Sequence, residues 1–108
     1  MSATASPMPI SLLEWKPLSR NSLRGFATVR LGQSLKISDI AVHAANGRRW
    51  AQLPARPALN TDGTARRDEN GKIQYIPLLK WLDRDASDRF SEGVIAAIER
   101  EYPGTVDA

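Results

Sequence analysis

The chain has 108 residues and a formal net charge of +3, a length that suits one domain able to fold alone. It contains no cysteine, which excludes disulfides and thiolate metal sites, and its single histidine argues against a zinc site. No stretch approaches the roughly 20 apolar residues of a membrane-spanning helix, so we expect a cytoplasmic protein that needs neither metal nor cofactor.

The charge is divided unevenly along the chain. Residues 1–82 hold 12 of the 15 lysines and arginines but only 5 of the 12 acidic residues, a net charge of about +7, whereas residues 83–108 carry about −4. A basic region of this kind favours polyanions such as nucleic acid. A charged surface that only keeps the protein in solution explains the same numbers equally well.

The first predicted strand follows a polar N-terminal tail. Residues 1–9 are small, polar and proline-containing, which predicts a disordered tail ahead of a single α+β domain at residues 10–108. The apolar residues of segment 10–21 follow no clean period, and Pro17 argues against a helix through it. We predict a short edge strand there.

Two hairpins are predicted next. The segment Leu23–Leu31 alternates as a strand does, and Gly32-Gln33-Ser34 turns the chain into the following strand. Asn46-Gly47 then marks a two-residue hairpin turn, because both residues tolerate positive φ. Counting back from this turn places His43 opposite Trp50.

A β-bulge at Ser38-Asp39 places the apolar residues of both hairpins on the same face of the predicted sheet. The apolar positions shift from odd to even numbers at Ser38-Asp39, and one extra residue opposite Thr28 restores the alternation. The predicted core face then comprises Leu23, Ala27, Val29, Leu31, Leu35, Ile37, Ile40, Val42, Ala51 and Leu53. The opposite face comprises Arg24, Phe26, Thr28, Arg30, Lys36, His43, Arg48, Trp50 and Gln52.

The C-terminal part of the chain predicts a loop, a strand and a helix. Pro54 and Pro57 end the preceding strand, residues 58–71 have the composition of a flexible loop, and Lys72–Ile76 is a short fourth strand. A helix is predicted over Asp83–Tyr102 with Asp83 as its N-cap. Its apolar stripe suits a core, or a helix pair across a dimer axis, better than a ligand site, and comprises Ala86, Phe90, Val94, Ala97 and Ile98.

These elements predict an α+β fold. We expect a small antiparallel sheet, a meander of three to five strands, with one long C-terminal helix, and we expect the protein to dimerise. Catalytic machinery is not evident: His43 is the only imidazole, no serine stands in a nucleophile elbow, and nucleotide-binding fingerprints are absent. We therefore expect no enzymatic activity.

The basic and aromatic face predicts nucleic-acid binding. Single strands bind cationic surfaces that carry aromatic rings on which bases stack, and Phe26 and Trp50 can serve as such rings. The candidate phosphate-binding residues are Arg24, Arg30, Lys36, Arg48, Arg49, Arg56, Arg66 and Arg67. In the alternative interpretation, which has equal weight, the N-terminal segment or a second subunit covers the two rings. A related alternative is a non-catalytic module that docks another protein on this face.

One stretch resembles a known family. The segment RGFATVRLGQSLKISDIAVHAANGRRWAQLPARP, followed by a variable loop, a short strand and a helix that begins DRDASDRF, resembles the stage V sporulation protein G (SpoVG) family of bacterial nucleic-acid-binding regulators. The resemblance covers roughly Leu23 to Ile98 and is most specific in the strand Ile37–Val42, in Gly47 and in Leu53-Pro54. It is also similar to phage-derived relatives without an assigned role. The resemblance implies a small α+β fold, a homodimer, and binding of DNA or RNA with low sequence specificity.

Overall fold

The computed structural model describes residues 9–106 and shows an α+β fold. Its elements in chain order are β1 (Ile10–Arg20), β2 (Leu23–Leu31), β3 (Leu35–Ala45), β4 (Arg48–Gln52), β5 (Ala55–Pro57), β6 (Tyr75–Pro77) and α1 (Arg84–Glu101). The first four strands form an antiparallel sheet in sequential order, and β5 pairs with β6 in a second sheet. The predicted meander and C-terminal helix are confirmed, while the predicted tail lies, except for Pro9, outside the described residues.

The β3–β4 hairpin has the predicted turn and register. Asn46 and Gly47 both take positive φ, 53° and 77°, as a two-residue hairpin turn requires. His43 lies opposite Trp50 and Ala45 opposite Arg48, so the strand pairing follows directly from the turn. The sequence prediction is confirmed residue by residue here.

The β2–β3 hairpin contains the predicted bulge and a second, unpredicted one. Ala27 pairs with Ile40 and Val29 with Ile37, so Ser38 and Asp39 together face a single residue of β2. Asp39 takes a left-handed φ of 59°, which accommodates the extra residue.

The second bulge lies at Arg24 and removes Leu23 from the predicted core face. Leu23 pairs with His43 while Gly25 pairs with Val42, so Arg24 is an extra residue and Leu23 moves to the opposite face of the sheet. Leu35, also predicted to be in the core, lies beside the β2–β3 turn and is 52% exposed. The prediction was wrong for both leucines.

The edge strand β1 is longer than predicted. It runs for 11 residues because a bulge at Leu13 keeps Trp15 opposite Ala27 on the core face, and Pro17 is tolerated at an edge. The indole of Trp15 lies against Gly25, where an added Cβ would be 2.6 Å from the Trp15 Cη2 atom. Trp15 is buried, and its Nε1 donates to the Thr105 hydroxyl over 3.2 Å.

The helix α1 packs on one face of the four-stranded sheet. Asp83 is the N-cap, as predicted, and its carboxylate accepts a hydrogen bond from the Ala86 amide over 2.7 Å. All five predicted stripe residues are buried, together with Ile95, and the helix joins β2 and β3 in one core cluster. Burial of these apolar side chains is the main force that holds helix and sheet together.

The helix also closes the outer edge of β4. The Ser91 hydroxyl accepts a hydrogen bond from the Ala51 amide over 3.0 Å and donates one to the Ala51 carbonyl over 3.2 Å. One side chain therefore satisfies both backbone groups that β4 presents to the outside at Ala51, where another strand could otherwise pair.

The predicted loop is a hydrogen-bonded arm. Beyond the stem that β5 and β6 form, single bridges join Leu59 to Ala65 and Arg67 to Ile73, so residues 58–74 fold into two small turns. The two turns have the same geometry, in which Gly63 and Gly71 take positive φ and donate to carbonyls three residues earlier over 3.0 Å. The predicted fourth strand begins later, at Tyr75, and pairs with β5 rather than with the main sheet.

Candidate nucleic-acid interface

The face of the main sheet opposite α1 is partly exposed and is called the open face here. It is formed by alternate residues of β1 to β4, and Phe26, Thr28, His43 and Trp50 are half-buried on it. Since the strand alternation was predicted correctly for β3, for β4 and for β2 from Gly25 onwards, the two aromatic rings and the basic residues expected on this side are brought together by the fold.

Trp50 and His43 form a stacked pair at the centre of the β3–β4 hairpin. Their ring centroids are 5.3 Å apart and the ring planes differ by 8°. The Arg48 guanidinium carbon lies 6.0 Å from the centroid of the indole, within reach of a cation–π interaction. Because His43 occupies one face of the indole, a base that stacks on Trp50 has to use the other face.

Both ring nitrogens of His43 have a partner. Nδ1 lies 2.9 Å from the Ser22 hydroxyl and Nε2 lies 3.1 Å from the Gln52 side-chain oxygen. In the neutral tautomer with its proton on Nε2, the ring donates to Gln52 and accepts from Ser22. Burial lowers the pKa of His43 below 6.5, the charge of Arg24 lowers it further, and the hydrogen bond to Gln52 opposes the shift. The ring is therefore neutral at pH 7 and acts as a fixed support for Trp50.

The cations of the open face lie around the aromatic rings and towards the β2–β3 turn. Arg30 and Lys36 face each other across β2 and β3, and Arg24 is half-buried at the other end of β2. The Arg24 guanidinium donates to the Asn21 and Leu23 carbonyls, which anchors it to the sheet. Lys16 pairs with Phe26 across β1 and β2 and adds a cation that the sequence prediction missed. The alternation within β1 becomes readable only once the bulge at Leu13 is known.

Four predicted phosphate-binding residues lie away from the open face. Arg49 pairs with Ala44 on the helix side of the sheet, and its guanidinium contacts the Glu99 carboxylate over 3.2 Å and the Val106 carbonyl over 3.4 Å. The other three, Arg56, Arg66 and Arg67, are exposed on the arm. The predicted site therefore divides into an open face, an arm and a separate ion pair at Arg49.

A groove of about 1360 Å³ runs along one border of the open face. Its sheet wall includes Phe26, His43 and Trp50, and its opposite wall is formed by residues between Tyr75 and the start of α1. Three basic and three acidic residues line it, namely Arg48, Lys80, Arg84, Asp39, Asp83 and Asp88. It is larger than the roughly 300–1,000 Å³ of small-molecule sites, and its charges are balanced. Sequence patterns gave no sign of it, because its walls come from distant parts of the chain.

Comparison of the chain with protein-family models, with curated proteins and with solved structures finds no match. Within residues 9–106, no group of three or more histidine, aspartate or glutamate side chains is placed to hold a metal ion. No helix of that region is long and apolar enough to cross a membrane. The functional assignment therefore depends on the shape, charge and chemistry of the surface.

Proposed function

We propose that this protein is a non-catalytic, cytoplasmic module that binds single-stranded DNA or RNA on the open face and acts as a homodimer. The observation that carries the proposal is the Trp50–His43 stack, which lies on a sheet face that the helix leaves uncovered and that Arg24 and Arg48 flank. Exposed aromatic rings beside cations are the usual means of binding single strands without reading their sequence. The resemblance to the SpoVG family supports the same class of ligand.

The cations are spaced along the path that a single strand would follow. Arg24 and Arg30 lie six residues apart on β2, which corresponds to about 20 Å at the rise of a β-strand. Phe26 lies between them on the same face, with Lys16 opposite it on β1. Phosphates can therefore contact both ends of β2 while bases stack on the rings near its centre.

The test is fluorescence anisotropy of labelled oligonucleotides titrated with the protein at low and at moderate salt. We expect the single strand to bind more tightly than the duplex. For each phosphate contact, the logarithm of the association constant should fall by about 0.7 when the salt concentration rises tenfold. The double change Arg30→Gln with Lys36→Gln should weaken binding, whereas Arg100→Gln on the helix should not. Flat curves for every oligonucleotide would refute the proposal.

A second candidate function is protein–protein interaction, and the groove is the observation that favours it. Its equal numbers of basic and acidic residues give no net attraction for a polyanion, and its walls include Leu53, Leu79 and Trp81. A partner bound mainly by apolar contacts is much less sensitive to salt than a nucleic acid is. The salt series described above therefore separates the two functions.

A further inference from the structure

One acidic residue stands among the cations of the open face. Asp39 is the only acid of β2, β3 and β4, and strand alternation puts it on the open face because Ile40 beside it is in the core. Its left-handed φ does not require a carboxylate, since asparagine and glycine adopt the same conformation. Within residues 9–106, no hydrogen bond or ion pair engages this carboxylate. A carboxylate repels phosphates, so on a nucleic-acid surface it needs a different kind of contact.

Asp39 borders a depression in the open face that is centred on Ala41 and is called the Ala41 slot here. Ala41 is half-buried and pairs with Phe26 of β2 on one side and with Gln52 of β4 on the other. Along β3, Asp39 and His43 are the next residues on the same face. A single methyl group is thus surrounded by four longer side chains, and all five residues line the groove. The slot therefore opens into the groove.

The groove suits the uncharged part of a nucleotide better than its phosphate. Its three basic and three acidic residues balance each other, whereas Arg24, Arg30 and Lys36 lie outside its lining. Phe26 lines the groove and lies on β2 between Arg24 and Arg30. A strand whose phosphates contact these three cations can therefore place a base in the groove while its backbone stays outside.

The wall opposite the sheet offers apolar surface to such a base. Tyr75, Leu79 and Leu82 line the groove and are exposed, Leu82 to 98%. A residue just before an N-cap often packs against the fourth residue of the helix, but that residue is Ser87 here, which offers no apolar surface. Because monomeric proteins rarely expose a contiguous apolar patch, these side chains indicate that a ligand covers this wall. The flat face of a base is a suitable apolar surface to pack on them.

The polar groups at the Ala41 slot match one pattern on the edge of a base. The Gln52 side-chain oxygen accepts the proton of His43 Nε2 over 3.1 Å, which leaves the Gln52 amide NH2 able to donate. The ionised carboxylate of Asp39 can only accept. Cytosine and adenine carry an amino donor next to a ring-nitrogen acceptor, so they complement this pair. Thymine and uracil carry a carbonyl oxygen in place of the amino group, and a carboxylate repels it.

We propose that the Ala41 slot binds one base of the single strand and prefers cytosine and adenine to thymine and uracil. Asp39 accepts a hydrogen bond from the exocyclic amino group, Gln52 donates to the adjacent ring nitrogen, and the base packs on Phe26. The inference deepens, and rests on, the nucleic-acid binding put forward under Proposed function. It adds a moderate base preference to a surface whose phosphate contacts read no sequence.

The first test compares oligodeoxycytidine with oligodeoxythymidine of equal length by fluorescence anisotropy at one salt concentration. We expect the cytidine strand to bind at least about fivefold more tightly, the lower end of the discrimination that one well-matched base contact provides. Asp39→Asn should bring this ratio close to one, because the asparagine amide can also donate to the thymine carbonyl and keeps the left-handed φ. The ratio is the readout, since the loss of a negative charge raises the affinity for both strands alike.

The second test fills the slot. Ala41→Leu should weaken binding of the cytidine strand about fivefold and remove the base preference, because the larger side chain occupies the space of the base. Ala45→Leu is the matched control, since Ala45 is half-buried on the same face of β3 but does not line the groove. Thermal melting checks that each variant is folded.

Two further results separate failure of the slot from failure of nucleic-acid binding. Equal affinity for the two strands, or a preference that neither Asp39→Asn nor Ala41→Leu changes, would overturn the slot and leave the groove to the protein partner considered under Proposed function. The open face would keep its role in that case. Absence of binding by every oligonucleotide would overturn both proposals.

Discussion

Trp50 is held in position without a ligand, because the hairpin turn sets its register and His43 stacks on its ring. We predict that Trp50→Ala weakens binding of single strands by about 5- to 150-fold, which corresponds to the 1–3 kcal/mol of one base–aromatic stack. The melting temperature should change little, since the ring is half-exposed. Anisotropy and thermal melting measure the two effects. Loss of the dimer with unchanged nucleic-acid affinity would contradict the proposed role of this ring.

His43 makes the stability of the fold depend on pH. Its pKa is lowered in the folded state, mainly by burial, so the unfolded chain takes up a proton first as the pH falls below about 6.5. The stabilising contribution is therefore complete above that value and is lost as the pH falls towards the folded pKa. We expect wild type to lose more stability than His43→Gln between about pH 7.5 and 5.5, as measured by urea unfolding. Parallel curves for the two proteins would show that the ring does not titrate in this way.

Gly25 is required by the indole that packs on it. A Cβ at this position would lie 2.5 Å from the Lys16 carbonyl oxygen and 2.6 Å from Trp15, too close for either atom to tolerate. Gly25→Ala should therefore lower the free energy of unfolding by about 3 kcal/mol, as overpacking against a buried residue does. Gly32→Ala is the control, because φ is positive there too but a Cβ added at Gly32 would have no atom beyond its chain neighbours within 4 Å. This change should lower the free energy of unfolding by about 1 kcal/mol. Equal losses in denaturant unfolding would rule out the packing explanation.

At the scale of the elements, local signals in the sequence predicted the hairpins and the helix well. Asn46-Gly47 determines a turn, and the turn determines the pairing of every residue back to Ala41. The bulge at Asp39 was visible because the apolar pattern changes phase there. The bulge at Arg24 has no such phase change, since glycine follows it, and only the pairing with β3 reveals it.

The arm could not be predicted because its strands are too short to show alternation. Its turns contain Asn60 to Gly63 and Asp68 to Gly71, and each residue on its own is typical of a loop. The small ladder exists because both turns and the β5–β6 stem form together. A segment with many turn residues is therefore ordered here by its own backbone hydrogen bonds.

Mutations in the arm test whether it contributes to the binding of nucleic acid. We predict that Arg66→Gln with Arg67→Gln lowers the salt dependence of single-strand binding by about 1.4 logarithmic units per logarithmic unit of salt, if both contact phosphates. Binding should remain measurable, because the open face keeps its rings and cations. Lys80→Gln, a cation on the groove wall, serves as the comparison and should change the slope less. An unchanged slope in the double variant would remove the arm from the binding site.

At the scale of the whole molecule, Asp83 and Asp88 at the start of the helix line the groove, whereas Glu92 and Glu101 are exposed further along the helix, which packs on the side of the sheet away from the open face. The outer surface of a helix packed on a sheet lies about 10 Å or more from the far side of that sheet, a full Debye length at 0.1 M salt. We predict that Glu92→Gln with Glu101→Gln speeds association with single strands several-fold at low salt and changes affinity less than about twofold at moderate salt. Stopped-flow fluorescence measures both. A large gain in affinity at moderate salt would show that these acids lie close to the bound strand.

The candidate site was only partly predictable from the sequence, because some of its features join residues that are far apart in the chain. Strand alternation correctly grouped Phe26, Trp50 and four of the eight predicted cations, since it needs only neighbouring strands. It could not show that Arg49 pairs with Glu99, a residue 50 positions later, or that segment 75–82 forms a wall of the groove. These features arise from contacts between distant parts of the chain, which a local pattern does not contain.

Because Ser91 lies in the last element of the chain, β4 is synthesised before the hydroxyl that caps its outer edge. Because α1 follows every strand in the sequence, the four-stranded sheet can assemble on the ribosome while the edge of β4 is still uncapped. During that interval the Ala51 amide and carbonyl are free to pair with another nascent chain on the same polysome. Until α1 has been synthesised, this strand edge is therefore a site at which newly made chains can associate with one another.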